Sequence, residues 1–223
     1  MSKDKGVVAG LYAVTPELAD DEHLLEMVSQ AISGGVRLFQ YRNKSAGRER
    51  MLDQATALRK LTGQAGARLI INDDFELALR VSADGVHLGR DDFAGKPAAD
   101  LISAIRQRAM ASGIPSFIVG ISCYNQLERA IAAEAAGATY AAFGSFYQSE
   151  TKPAAIRANP TLIVEAKRQL SLPIVAIGGI TVQNAPELIA AGADALAVVT
   201  ALFNSDDIQS HASAFNALYA HHV

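Results

Sequence analysis

The chain has 223 residues, half of them apolar, with a formal net charge of −3, a single cysteine (Cys123) and no tryptophan. Scattered lysines and arginines offer no basic stripe for nucleic acid, no run approaches the roughly 18–20 apolar residues of a membrane span, and one cysteine excludes an intrachain disulfide. The charged start MSKDKGVVAG does not read as a signal peptide, so a reducing cytoplasm is expected, and the length suits one domain over residues 1–223, as in α/β barrels of about 200–250 residues.

The first strand is predicted at 9–14. VTPELAD follows it, where a doubly wound fold would carry GxGxxG. A helix over 21–33 ends in SGG and leads into a strand at 38–42, within LFQYRNK. Next come a helix at 47–63, a strand at 68–72 running out in Asn72, Asp73 and Asp74, and a helix at 75–82. The strand at 85–88 carries His87 and is followed by Arg90, Asp91 and Asp92, then a helix at 98–110. A strand at 117–121 leads to Ser122 and Cys123. The helix at 125–136 repeats Leu127, Ala130, Ile131 and Ala135 at helical spacing, with Asn125 as its expected N-cap. A strand at 139–143 enters GSFYQSETKP, and a helix covers 160–169. A strand at 173–177 ends in IGGIT, before a helix at 184–191. The last strand, 195–199, ends in VVTAL, and a final helix spans 206–220. His221 and His222 read as a solvated end. A helix-like segment ending in Ala/Gly, where glycine takes a left-handed conformation, followed at once by a short apolar run, recurs in AISGGVRLFQ, QAGARLIIN, SADGVHLG, EAAGATYAAFG and AAGADALAVV and is the αβ connection of a parallel sheet. Eight strands separated by helix-like segments predict an α/β protein, a single (β/α)8 TIM barrel.

A barrel carries its site at the C-terminal ends of its strands, and polar residues concentrate there. By the two-residue period, Leu38, Gln40 and Arg42 share a face, with Lys44 beyond, while Phe39 and Tyr41 face the helices. A guanidinium in the barrel mouth calls for an anionic ligand. Asp74 before FELALR reads as a helix cap. Acidic groups from the ends of the third and fourth strands could share a divalent cation; Mg²⁺ takes few carboxylates and completes its octahedron with water and phosphate oxygens. Gly178, Gly179, Val199 and Thr200 lie after the last two strands, where barrels bind phosphate. Cys123 reads as a buried structural thiol, and His87 as an internal hydrogen-bonding group or a substrate contact.

Taken in order, QYRNK, INDD, DGVHLGRDD, SETKP, AIGGIT and GADALAVVT resemble the thiamine-phosphate synthase family over nearly the whole chain. The resemblance implies a transferase of thiamine biosynthesis. It would join 4-amino-2-methyl-5-hydroxymethylpyrimidine diphosphate to a thiazole phosphate and release pyrophosphate, with CO₂ also lost from a carboxylated thiazole. It implies that Gln40 contacts the pyrimidine, that Arg42, Lys44, Asn72, Ser122 and Lys152 serve the diphosphate side, and that Asp73 and Asp92 bind Mg²⁺. It further implies that Ser149, Thr151, Gly178, Gly179, Val199 and Thr200 hold the thiazole phosphate. Ser149 stands where threonine is common, which keeps the hydroxyl. Tyr124 stands where histidine is common and is given no role. The loop 144–159 is expected to close over the substrates.

Pyrophosphate leaves readily once its charge is neutralised, which suits the cations and explains why no nucleophilic triad is needed. The rival readings are a related thiazole tautomerase, which would not need the diphosphate apparatus, and a non-catalytic barrel that binds phosphorylated ligands. A phosphosugar aldolase or isomerase would need a strand lysine or general base, and the strand interiors carry no lysine. The expected partners are small-molecule substrates, with no nucleic acid and no membrane; a homo-oligomer is left open.

Overall fold

The computed structural model describes residues 8–89, 91–93, 97–148 and 157–220. Eight parallel strands close in sequence order into a barrel, β1-β2-β3-β4-β5-β6-β7-β8. They are β1 (Gly10–Val14), β2 (Leu38–Tyr41), β3 (Arg68–Asn72), β4 (Gly85–Leu88), β5 (Ile118–Tyr124), β6 (Tyr140–Phe143), β7 (Ile174–Ile177) and β8 (Ala195–Val198). Between and after them run α1 (Asp21–Ser33), α2 (Arg48–Gln64), α3 (Phe75–Arg80), α4 (Ala98–Ala111), α5 (Leu127–Ala135), α6 (Thr161–Gln169), α7 (Ala185–Ala190), α8 (Thr200–Phe203) and α9 (Ile208–Ala220), with a 3₁₀ turn at Asp91–Phe93. No helix among the described residues is long and apolar enough to cross a membrane.

Alternation along each strand divides the core in two. Leu11 and Ala13, Phe39 and Tyr41, Leu69 and Ile71, and Val86 and Leu88 face the helices and join the larger cluster. Tyr12, Val14, Leu38, Ile70, Ile118, Tyr140, Ala142, Val175, Ala195 and Ala197 fill the barrel interior. Gln40 and His87 stand among the few buried polar side chains, so the interior turns polar toward its upper end.

Three local readings needed correction. The helix α5 begins after Gln126, not Asn125, and no side chain caps it. In SADG the left-handed turn falls on Ser82 (φ 53°) rather than on Gly85. Gly85 is required for another reason, because a Cβ there would meet the Ile118 carbonyl oxygen at 2.3 Å. The VVTAL expected to end the last strand instead leads into a four-residue helix, α8, at Thr200–Phe203.

Candidate active site

The second strand delivers its residues as its period requires. Gln40 is buried and its Nε2 donates to the Tyr12 hydroxyl at 2.9 Å. Beyond the strand, Asn43 is buried on the helix side, as Tyr41 is; its Nδ2 donates to the Leu18 carbonyl and to Gln54 Oε1 (2.9 and 3.0 Å). Tyr41 OH donates to the same Gln54 oxygen at 2.7 Å. These anchors on the helix side leave Arg42 and Lys44 on the other side, at the mouth. Arg42 Nη1 meets Glu17 Oε1 at 2.5 Å, and Lys44 Nζ meets Asp73 Oδ2 at 2.7 Å. Both pairs are partly exposed, so their contribution to stability is small, on the order of 0–1 kcal/mol.

Asp73 follows the last residue of β3, Asn72, and adopts φ 63°. A non-glycine residue in the left-handed region carries backbone strain, and such strain concentrates at functional sites. Two neighbours hold it there. The Asp73 N–H donates to the His87 carbonyl at 2.8 Å, extending the β3–β4 ladder past Asn72↔His87. Asp74 then caps α3, its Oδ1 accepting from the Leu77 N–H at 2.9 Å, as its place before FELALR suggested.

Asp92, in the 3₁₀ turn after β4, accepts from the Gly89 N–H at 2.6 Å. Burial holds its pKa above the ordinary carboxylate value, against the Gly89 hydrogen bond, and the negative charge of Asp73 raises it further. A half-buried carboxylate raised by burial and by a second carboxylate beside it is suited to a cation, and Lys44 supplies one on the Asp73 side. No group of three or more acidic, His or Cys side chains forms a complete metal cage among the described residues. A hard cation with only two protein carboxylates and phosphate oxygens as further ligands matches that donor set.

On the far side of the mouth, Gly178 (φ 105°) and Gly179 (φ 64°) face the β6–α6 loop. A Cβ on Gly178 would meet Ser145 Oγ at 2.0 Å, and one on Gly179 the Gln148 carbonyl oxygen at 2.2 Å. Both the backbone angle and the close approach exclude a side chain. Asn184 fixes the turn, its Nδ2 donating to the Gly179 carbonyl at 3.0 Å. Val199 and Thr200 stand at the start of α8, next to this turn in the barrel order. Ser149, Glu150, Thr151 and Lys152, and Arg90, lie outside the described residues; the two stems of the 144–159 loop are anchored by Phe146 N–H to the Ile177 carbonyl (3.2 Å) and Ala158 N–H to the Ser145 carbonyl (2.8 Å).

Ser122 and His87 meet, with His87 Nε2 and Ser122 Oγ at 2.8 Å. His87 Nδ1 lies 2.9 Å from the Tyr140 hydroxyl, which lies 2.9 Å from that of Tyr12. These two tyrosines were missed from sequence, since an aromatic residue in an apolar strand reads as packing. The available signal was glycine: Gly120 pairs in register with both His87 and Tyr140 and leaves room above β5 for them to meet. Glu17, the partner of Arg42, was also missed. Tyr124 has φ 56° and lies under the Arg129 guanidinium, 5.4 Å from the ring centre.

Cys123 is fully buried, and burial pushes its thiol up to about 12. The thiolate is the reactive form, so a nucleophilic role is disfavoured. The native protein should leave a disulfide-exchange thiol probe unreacted at pH 8, and one thiol per chain should react in denaturant. Stoichiometric labelling of the native protein would contradict this placement.

The family model described as thiamine monophosphate synthase matches residues 11–202. The thiamine-phosphate synthase of Thiobacillus denitrificans is 49% identical over 211 residues, covering 95% of each chain. That of an Azoarcus species is also 49% identical, over 213 residues, 96% of this chain and 98% of the relative. Among solved structures, thiamine phosphate pyrophosphorylase from Pyrococcus furiosus is 30% identical, with a TM-score of 0.80 and 96% of each chain covered. The 3-hexulose-6-phosphate synthase of Salmonella typhimurium, 16% identical with a TM-score of 0.74 over 96% of this chain and 100% of its own, shares the fold.

Proposed function

This chain belongs to the thiamine monophosphate synthase family, and from that premise we propose how its barrel mouth divides the work. It is a transferase of thiamine biosynthesis that joins a pyrimidine diphosphate to a thiazole phosphate, giving thiamine phosphate and pyrophosphate. The observation that carries the assignment of sides is the cluster at the ends of β2, β3 and β4. Gln40 lies in β2 and Arg42 follows just past its end, and Lys44 bridges to Asp73, whose charge acts on Asp92.

Gln40 orients the pyrimidine ring, with His87 beside it, while Arg42 and Lys44 bind the diphosphate, Arg42 exchanging Glu17 for phosphate oxygens. Ser122 donates to the same anion, and Asn72 and Lys152 complete that side. Asp73 and Asp92 would hold Mg²⁺, which when bound supplies positive charge to the leaving pyrophosphate. Gly178, Gly179, Val199 and Thr200, with Ser149 and Thr151, hold the thiazole phosphate through backbone N–H groups and hydroxyls. The bond between the pyrimidine methylene carbon and the diphosphate oxygen breaks, its electron pair leaving with pyrophosphate. The ring amine stabilises the cation that remains, and the thiazole nitrogen supplies the pair for the new C–N bond. Small-molecule partners, a cytoplasmic setting and one catalytic domain over residues 1–223 belong to this same proposal.

The test is an assay with both substrates and Mg²⁺, following thiamine phosphate and pyrophosphate together. Wild-type protein should form them in equal amounts and stop in excess chelator. Arg42→Ala and Lys152→Ala should each lower kcat/KM by at least about 10²-fold, the scale expected for one donor to a developing anion. Wild-type rates in both variants would overturn the diphosphate assignment.

A further inference from the structure

Five side chains from five strands form one continuous hydrogen-bonded relay through the barrel. It runs from Gln40 on β2 through Tyr12 on β1, Tyr140 on β6 and His87 on β4 to Ser122 on β5, with links of 2.9, 2.9, 2.9 and 2.8 Å. Tyr140 lies edge-on to Tyr12 (84° between rings) and stacks on His87 (18°), so neighbours on both sides fix its ring. Burial holds both phenols above the ordinary tyrosine range, and each keeps its one hydrogen to donate.

One hydrogen per hydroxyl gives the relay a direction. Tyr12 accepts from Gln40 Nε2, so its own hydrogen goes to Tyr140. The Tyr140 hydrogen then goes to His87 Nδ1, and a neutral imidazole that accepts at Nδ1 carries its hydrogen on Nε2. That hydrogen goes to Ser122 Oγ, and the Ser122 hydroxyl hydrogen is left to point away from the relay. The two ends are therefore complementary. Ser122 presents a donor, and Gln40, whose Nε2 is spent on Tyr12, presents its carbonyl oxygen Oε1 as an acceptor. The opposite direction would reverse both ends at once. Ser122 would spend its hydrogen on His87 and offer lone pairs, while Gln40 would turn its NH₂ outward.

We propose that this relay is a specificity device: an anion at Ser122 fixes its direction, the direction holds the Gln40 carbonyl toward the ligand ring, and the site thereby selects a ring bearing an amino group over one bearing a carbonyl in that place. An anion repels the lone pairs of the reversed order, so the diphosphate end of the ligand dictates what the ring end accepts. Tyr12 and Tyr140 act as positioning residues, through Gln40 and His87. The inference rests on reading the site as one for an aminopyrimidine diphosphate.

The decisive variant is Tyr140→Phe, because Tyr140 makes no hydrogen bond to Gln40 and its loss reaches Gln40 only through Tyr12. kcat/KM is measured for the aminopyrimidine diphosphate and for its analogue with oxygen in place of the amino nitrogen. Wild-type protein should prefer the amino compound by at least about 10²-fold, as sites built around a polar group do. Tyr140→Phe should shrink that preference at least about tenfold, through a relative gain for the oxo compound. An unchanged preference would overturn the relay. A second measurement needs no turnover. ¹⁵N chemical shifts of the wild-type histidines, with His87 assigned by comparison with His87→Gln, should show the Nε2–H tautomer with inorganic pyrophosphate bound. An Nδ1–H tautomer there would also overturn it. Failure of wild-type protein to turn over either pyrimidine would strike at the substrate reading, while the tautomer would still report on the relay.

Discussion

Asp73→Asn should lower kcat about 10³-fold with both substrates and saturating Mg²⁺, while Asp74→Asn, one residue away, should leave it within about twofold of wild type. Asp73 is the carboxylate that Lys44 meets at 2.7 Å and whose charge raises Asp92. Asparagine is the informative replacement. It tolerates the left-handed conformation that Asp73 adopts at φ 63°, and it keeps the N–H that donates to His87. The backbone of the strand end therefore stays in place, and only the charge is lost. Asp74 spends its side chain on the Leu77 N–H as a helix cap, a task asparagine performs equally well. Steady-state rates across a Mg²⁺ titration, with melting temperatures for both variants, separate the two roles. Equal losses at the two positions would mean that the β3–α3 corner, and not the Asp73 charge, governs activity.

Much of this arrangement was legible because two periodicities carry it. The alternation in LFQYRNK placed Gln40 inside and Phe39 and Tyr41 outside, and the structure keeps that division through Tyr41. The repeated helix–glycine–strand join gave the strand order, since a parallel barrel closes in chain order. What escaped the sequence depends on contacts between distant segments. Arg42 and Glu17, 25 residues apart, meet only because β1 and β2 are neighbours, and no local pattern announces the pair. Tyr12 and Tyr140 are 128 residues apart, and each looks apolar in its own strand; only their hydroxyls, meeting inside the barrel, make them polar. The helix α8 is too short to show a helical period, and Asn125 fails as a cap because the chain has not yet turned into α5.

The second large effect should come from one methyl group. Gly120→Ala would place a Cβ 2.0 Å from Tyr140 Cζ and 2.3 Å from its hydroxyl oxygen, far inside van der Waals contact. The ring cannot give way cheaply, since Tyr12 meets it edge-on and His87 stacks against it. Overpacking of this kind costs about 1–3 kcal/mol, which for a chain of this size lowers the melting temperature by roughly 2–12 °C. The cost should depend on Tyr140 specifically. In a Tyr140→Ala background the ring that the methyl strikes is gone, so Gly120→Ala should there cost less than about 0.5 kcal/mol, the scatter expected of uncoupled sites. Denaturant unfolding of the four proteins gives the coupling energy. If Gly120→Ala costs the same in both backgrounds, the glycine serves the β5 backbone and not the passage of Tyr140 toward His87. A large coupling would instead make Gly120, which carries no functional group, the residue that lets β4 and β6 share a hydrogen bond across an intervening strand.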